Sequence, residues 1–437
     1  MHTPPPQSNI DFNEILLASQ KWMESEEFKE KYLKTNHPYP PLLNPDDLNN
    51  PASPFHYKNI PADFAWEANL PLPRGYKFLF VMMSHSGHSS MVSYLKKCGV
   101  SIMKDHYGVL KEHYKFNYDA LNNGEPTVIN FTAYGTAGDD YYVDLYKYIR
   151  LIDPNTPVLC LVRDPIPRLK TTLNNRLGKD YWGKATLKYH FNENDSLDAL
   201  DNRLVYILDR NINYKDRVEA GIKGINLFRY SEVFEKLLEY GFKDFEFLDV
   251  QKIIEPPDVF VLMQKLAQQY DFPPPTSPDI FDLPSVRVYS GFLPLRYDVR
   301  GAQFLITVQP DKGGNIEVSQ MLGLDLSYFQ QFERGILIYT RAQDLPDIQN
   351  NFDFIKAKLS AFILKFQEIL ERENKLRMTN IPEILEFFKT APRHRKLFRD
   401  VIKKEIEIVK KSRPDIVAQW NYYLEFEKMC KDLDGVK

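Results

Sequence analysis

Apolar residues between positions 75 and 275 fall into short continuous runs separated by stretches with helical spacing. Phe78–Met83 is an apolar run of strand length, and the residues after it show helical spacing up to Gly99. Pro157–Val162 is a second such run before a polar break, and Gly224–Leu238 repeats the order of strand and then helix. Strand-then-helix repeats of this kind predict an α/β fold.

The hydrophobic pattern predicts three consecutive segments. Residues 1–74 form an N-terminal helix and a Pro-rich arm, residues 75–275 form the α/β core, and residues 276–437 form a hairpin and a helical C-terminal region. From Phe352 onward the apolar residues recur with a period near 3.6, which predicts a buried helix face. Prolines mark the predicted starts of three further helices, at Pro382, Pro392 and Pro414.

The C-terminal segment begins with a predicted β-hairpin. Ala302–Val308 and Ile316–Val318 flank the turn sequence Asp311–Asn315, in which glycines supply positive φ angles. Ile336–Thr340 predicts a further strand.

Two polar stretches each leave two interpretations open. Asn175–Lys223 is either a wall of an acceptor site or a solvated helical excursion from the core. Arg393–Arg399, with the lysines that follow it, is either a solvated face or a dock for an acidic glycan or a membrane surface, with peripheral contact only.

The polar break after Phe78–Met83 has the chemistry of a phosphate cradle. Ser84–Ser90 supplies hydroxyls and one glycine, and a helix that starts there directs its N–H groups and positive dipole end at the turn. The pattern G-x-x-x-x-G-K-[ST] is absent, so the groups that usually hold nucleoside triphosphate and magnesium are missing. A simple helix cap is the alternative interpretation.

Two motifs, one after each of the first two apolar runs, resemble motifs of sulfotransferases. Ser86–Ser90 resembles the S-G-[TS]-[TS] loop, and the segment from Arg163 to Thr171 resembles R-[ND]-P-x-x-x-x-x-S, with Thr171 in place of Ser. Gly224–Leu238 resembles the strand and Y-E-D-L element that follows in that family. The resemblance covers residues 75–275. The spacing of the motifs is similar to that in the bacterial carbohydrate-type sulfotransferases.

The resemblance implies a three-layer αβα fold with a mostly parallel central sheet, the sulfotransferase or P-loop-like fold. It implies transfer of a sulfuryl group from 3′-phosphoadenosine 5′-phosphosulfate (PAPS) to a hydroxyl of a carbohydrate or glycolipid, without a metal. The cofactor-binding residues it implies are His85, Ser86, Gly87, His88, Ser89, Ser90, Arg163 and Thr171.

The resemblance also implies two catalytic residues. His106 follows the helix at the place of the family's base, and an imidazole titrates near neutral pH, which suits proton transfer. His85, if protonated, would stabilise charge on the leaving oxygen. Glu112 and His113 are reserve candidates for the base.

Three departures from the family pattern keep other functions open. His85 replaces a fixed cation, His88 replaces a small hydroxyl residue, and His106 replaces Glu. A P-loop kinase or nucleotidase, or a catalytically silent nucleotide- or glycan-binding module on the same fold, are the alternatives.

Composition adds a cellular setting. The formal net charge of −3 gives no case for nucleic acid as a partner, and the N-terminus lacks the basic and apolar regions of a signal peptide. No apolar run approaches the length of a membrane span. Three widely spaced cysteines indicate a reducing compartment, so we expect a cytoplasmic protein.

Overall fold

A computed structural model gives the structure of the chain. The residues it describes are 12–83, 85–103, 110–132, 139–173, 190–204, 214–223, 230–281, 292–307, 314–330, 335–375 and 381–435. The chain forms two compact units. The α/β unit comprises Met1–Arg168, Ile225–Phe281 and Arg395–Lys437, and the second unit comprises Leu169–Gly224 and Asp282–His394.

Helices account for most of the regular structure in the described residues. The α-helices are α1 (Phe12–Glu24), α2 (Glu26–Phe28), α3 (Pro45–Asn49), α4 (Ala62–Glu67), α5 (His88–Lys97), α6 (Leu110–Asn122), α7 (Asp139–Arg150), α8 (Pro165–Leu173), α9 (Leu197–Arg203), α10 (Tyr214–Lys223), α11 (Tyr230–Glu239), α12 (Pro256–Tyr270), α13 (Ser319–Leu322), α14 (Ser327–Gln330), α15 (Leu345–Asn350), α16 (Phe352–Lys375), α17 (Pro382–Thr390), α18 (Pro392–Ser412), α19 (Pro414–Val417) and α20 (Asn421–Asp434). A π-helical turn covers Lys29–Leu33, and 3₁₀ turns cover Tyr57–Asn59, Val250–Ile253, Pro278–Phe281 and Ala342–Asp344.

Two sheets account for the strands. The strands are β1 (Leu79–Met82), β2 (Ile129–Thr132), β3 (Val158–Val162), β4 (His190–Asn192), β5 (Phe245–Asp249), β6 (Leu295–Val299), β7 (Ala302–Thr307), β8 (Ile316–Glu317) and β9 (Leu337–Thr340).

The sheet of the α/β unit has four strands in the order β2-β1-β3-β5, and every pair is parallel. Each residue of β1 and β3 is buried, which is why both appear in the sequence as continuous apolar runs. The predicted mixed α/β fold with a parallel sheet is therefore confirmed. The strand predicted just after Gly224 lies outside the described residues, while the helix predicted after it is α11.

The sheet of the second unit has the order β4-β6-β7-β9-β8 and mixes parallel with antiparallel pairs. The hairpin predicted between Ala302–Val308 and Ile316–Val318 is wrong, because β9 lies between β7 and β8. β7 instead forms a hairpin with β6 through Arg300 and Gly301. Both turn residues have positive φ, at 50° and 81°, as a two-residue turn of type I′ requires.

The polar stretch Asn175–Lys223 contributes to the core of the second unit. Its described part supplies strand β4 and helices α9 and α10, and Phe191, Leu200 and Leu204 are buried among the apolar side chains of β6, β7 and α16. For this part, the interpretation as a solvated excursion is wrong. The predicted apolar face of α16 is confirmed, since Ile355, Leu359 and Phe362 are buried in the same core.

The three predicted segments are redistributed in the tertiary structure. Residues 276–437 contribute to both units, since Arg395–Lys437 joins the α/β unit and Asp282–His394 belongs to the second unit. The predicted helix starts at the three prolines are confirmed as those of α17, α18 and α19.

The N-terminal arm is held against the α/β unit by hydrogen bonds to backbone carbonyls. The hydroxyl of Tyr118 in α6 donates to the Tyr57 carbonyl at 2.9 Å, and within the arm the indole of Trp22 donates to the Pro41 carbonyl at 3.0 Å. The Leu72 N–H donates to the Leu151 carbonyl at 2.8 Å. In the described part of the chain, no helix has the length and apolar character needed to cross a membrane.

The basic run at the start of α18 is only partly a solvated face. Arg395 is 3% exposed, and its Nε donates to an oxygen of Asp434 at 2.9 Å. The run therefore contributes an ion pair between a buried arginine and an exposed aspartate within the α/β unit. Lysines further along α18 are exposed, at Lys403, Lys404, Lys410 and Lys411.

Candidate functional site

The candidate site lies at the carboxyl edge of the parallel sheet in the α/β unit. The chain passes from β1 to β2 on one side and returns to β3 on the other side of β1. The crevice beyond the carboxyl ends of β1 and β3 is therefore a topological switch point, which is where open α/β sheets bind ligands. The turn after β1 and the turn after β3 meet there.

The turn after β1 is organised around the carbonyl of Met83. The Ser86 hydroxyl donates to this carbonyl at 2.7 Å, and Nδ1 of His88 lies 2.8 Å from it. Because a carbonyl only accepts, Nδ1 of His88 carries a proton. Helix α5 then begins at His88, so the predicted sequence of strand, turn and helix is confirmed.

Gly87 is required by the packing of this turn. Its φ of +81° is in the left-handed region, and a Cβ atom there would lie 2.6 Å from Cγ2 of Val250 and 3.0 Å from Cδ1 of Ile253. A contact of 2.6 Å is a steric clash, so a side chain cannot be added without displacing the side chain of Val250. Packing therefore explains why glycine is needed at position 87, independently of any approach of a phosphate.

Arg163 connects the two turns. It follows β3 directly, and its Nη1 donates to the carbonyl of His85 at 2.7 Å. His85 has a φ of +59°, a conformation that this hydrogen bond helps to hold. The two sequence motifs thus contact one another through a charged donor.

Asp164, the next residue, caps two helices. Oδ1 accepts from the Ile166 N–H at the start of α8, at 2.9 Å, and Oδ2 accepts from the Tyr423 N–H at the start of α20, at 3.2 Å. Carboxylates are favoured at helix N-termini by the orphan N–H groups and the dipole. Burial nevertheless raises the pKa of the Asp164 carboxyl to about 6.

A buried ion pair lies in the same unit. Arg168 of α8 is 1% exposed and pairs with Glu405 of α18. Burial raises the pKa of Glu405, while the positive charge of Arg168 opposes that rise. A pair of this kind is costly to break, because the remaining charge stays buried.

The environment of His85 disfavours a protonated imidazole. Burial, together with the nearby charges of Arg168, His88 and Arg163, lowers the pKa of His85 to about 3. At neutral pH His85 is therefore uncharged, so the condition for its predicted role, a protonated imidazole, is not met. Arg168 is paired with Glu405, so the positive charge at the turn is that of Arg163, which contacts the His85 carbonyl.

The other predicted residues are distributed as follows. Ser89 is exposed and Ser90 is half-buried in the first turn of α5, and Thr171 is half-buried in the last turn of α8. His106 lies outside the described residues. Among the reserve candidates, Glu112 is exposed and lies 3.4 Å from Lys115, whereas His113 is 1% exposed with Nδ1 3.2 Å from the Asn130 carbonyl.

Sequence reasoning missed the contribution of the C-terminal helices to this edge. The indole N–H of Trp420 donates to Oδ2 of Asp249, the last residue of β5, at 2.9 Å. Arg413 donates to the Phe247 carbonyl at 2.9 Å. The type of residue at Trp420 was a visible signal of burial, but its partner is 171 positions away in the chain.

Comparison with known proteins gives one finding. Residues 247–433 match a family model described as a protein of unknown function (DUF2972). The match begins in β5 and ends in α20, so it includes Asp249, Glu405 and Trp420 as well as part of the second unit. Searches of curated proteins and of solved structures found no match.

Proposed function

We propose that this protein is a PAPS-dependent sulfotransferase that acts on a hydroxyl of a carbohydrate or glycolipid. The observation that supports the proposal most is the hydrogen bond from Arg163 to the His85 carbonyl. It joins the residue proposed for the 3′-phosphate with the turn proposed for the 5′-phosphosulfate, at the switch point of a parallel sheet.

The charge of the site suits this donor substrate. PAPS is polyanionic, and the guanidinium of Arg163 lies at the turn, where it donates to the His85 carbonyl at 2.7 Å. The N-terminus of the ten-residue helix α5 adds oriented N–H groups at the same turn. Arginine has a planar fork of donors that matches phosphate oxygens in pairs.

The proposed reaction is a direct transfer. The acceptor oxygen forms a bond to sulfur while the bond between sulfur and the bridging oxygen of the 5′-phosphate breaks, so negative charge leaves with adenosine 3′,5′-bisphosphate. The proton of the acceptor hydroxyl passes to a base, which we assign to His106. Donors at the turn stabilise the charge that develops on the bridging oxygen.

A second candidate is favoured by one observation. His85 stands where sulfotransferases carry Lys or Arg, and its pKa of about 3 leaves it uncharged at neutral pH. A site that lacks this fixed charge favours a catalytically silent nucleotide-binding module. The two candidates share the ligand and differ in whether sulfur is transferred.

Three free, buried cysteines support the proposed cytoplasmic setting, since disulfides are rare there. Cys98, Cys160 and Cys430 each lie in the α/β unit.

Calorimetric titration tests the shared part of the proposal. We expect adenosine 3′,5′-bisphosphate to bind more tightly than adenosine 5′-monophosphate, and binding not to depend on magnesium. Tight magnesium-dependent binding of ATP, without binding of the bisphosphate, would support a kinase or nucleotidase instead. Transfer of ³⁵S from labelled PAPS to a panel of sugars and glycolipids then separates the enzyme from the silent module.

A further inference from the structure

The last two helices of the chain, α19 and α20, reach the candidate site by two separate routes. Both belong to the α/β unit together with β1, β3 and β5. We assign no side chain of α19 or α20 to ligand binding. The contacts are those of a support behind the site.

The first route passes through Asp164. The Tyr423 N–H, in the first turn of α20, donates to the Asp164 carboxylate at 3.2 Å, and Tyr423 itself is 7% exposed. Asp164 is the neighbour in sequence of Arg163, whose guanidinium holds the His85 carbonyl at 2.7 Å. A shift of α20 would therefore move the backbone from which Arg163 extends.

The second route passes through Asp249. One oxygen of this carboxylate accepts from the indole of Trp420 at 2.9 Å, and the other accepts from the Gln251 N–H at 3.0 Å. Asp249 thus caps the 3₁₀ turn Val250–Ile253, and two side chains of that turn are the ones that leave no room at Gly87. Trp420 is 1% exposed, so its N–H has no solvent alternative to Asp249.

We propose that Trp420 is a positioning residue for the turn Met83–His88, acting through Asp249 and the 3₁₀ turn after β5. Loss of its N–H leaves Asp249 with one partner fewer in a buried setting and loosens the surface against which Gly87 packs. The turn then samples other conformations although β1 and α5 stay folded. The effect of Trp420 on ligand binding rests on the proposed function, whereas its effect on the conformation of the turn does not.

Hydrogen exchange measured by mass spectrometry on the full chain tests the proposal. Trp420→Phe keeps a large ring and removes the donor, and we expect amides of residues 85–91 to exchange about tenfold faster or more. Phe426→Leu is the matched control, since Phe426 is a 1%-exposed ring of α20 that packs on Phe398 and lies on neither route. In this control, we expect exchange at 85–91 to stay at the parent rate.

Asp249→Asn provides a second variant on the same route if Trp420→Phe fails to fold. The proposal is overturned if amide exchange at 85–91 is accelerated equally in Phe426→Leu and in the Trp420 or Asp249 variant. It is also overturned if exchange is not accelerated in either the Trp420 or the Asp249 variant. A ligand arm with adenosine 3′,5′-bisphosphate keeps the two proposals apart. If the parent does not bind this ligand, the proposed function fails, while the exchange result still decides the role of Trp420.

Discussion

In the α/β unit the guanidinium of Arg163 donates to the carbonyl of His85 at 2.7 Å, so the residue after β3 holds the turn after β1. The pair brings two motifs of the sequence into one site. It also means that Arg163 has a structural role in addition to any contact with a ligand. Experiments on this residue must separate the two roles.

Replacement of Arg163 separates them by comparing two nucleotides. We expect Arg163→Ala to weaken the binding of adenosine 3′,5′-bisphosphate by about 2 kcal/mol more than the binding of adenosine 5′-monophosphate. This difference is the scale of a charge-assisted hydrogen bond to phosphate. A loss common to both nucleotides reflects the released His85 carbonyl. Calorimetric titration of the parent, Arg163→Ala and Arg163→Lys measures both parts. Equal losses of binding free energy for the two nucleotides would show that Arg163 does not contact the 3′-phosphate.

Replacement of Gly87 tests the packing of the turn. We expect Gly87→Ala to lower the free energy of unfolding by about 2 to 4 kcal/mol, because positive φ and a clash with Val250 act together. Gly124→Ala is a matched control, since Gly124 has a φ of +73° and nothing within 4 Å of its added Cβ. Urea unfolding measures each loss, and Val250→Ala combined with Gly87→Ala should recover part of it. Equal losses at the two glycines would show that Val250 is irrelevant.

The pKa of Asp164 predicts a pH dependence of stability. Burial raises this pKa from 3.8 to about 6, so between pH 4 and pH 6 the folded protein binds the proton more tightly than the unfolded chain. The contribution of Asp164 to the free energy of unfolding therefore falls as the pH rises through this window, by up to about 3 kcal/mol.

Urea unfolding of the parent and of Asp164→Asn at pH 4.5 and pH 6.5 measures that contribution. The asparagine does not titrate, so we expect the parent to lose more stability than the variant between the two pH values. Identical changes in the two proteins would mean that Asp164 has an ordinary pKa in the folded state.

His106 carries the catalytic part of the proposed function. We expect His106→Ala to lose sulfuryl transfer by about 10²- to 10⁴-fold, the usual effect of removing a general base, while adenosine 3′,5′-bisphosphate still binds. The ³⁵S transfer assay and calorimetry measure the two quantities. Glu112→Ala and His113→Ala are the comparison variants. Full activity in His106→Ala with loss in one of these would transfer the role to that residue.

Elements with a local signal could be predicted from residue type and spacing. Phe78–Met83 and Pro157–Val162 are apolar throughout because both faces of β1 and β3 are buried, and burial is visible in residue type. The helix α5 after the turn and the apolar face of α16 follow from the helical period of their apolar residues.

Contacts between groups that are distant in the chain could not be predicted from local pattern. The pattern around residues 302–318 contains two real strands, but their pairing depends on β9, so the predicted hairpin is wrong. The partner of Trp420 lies 171 positions away, and the His85 carbonyl that Arg163 holds lies 78 positions away. Local pattern encodes burial and period, whereas the closure of long chain segments selects the partner of each buried donor.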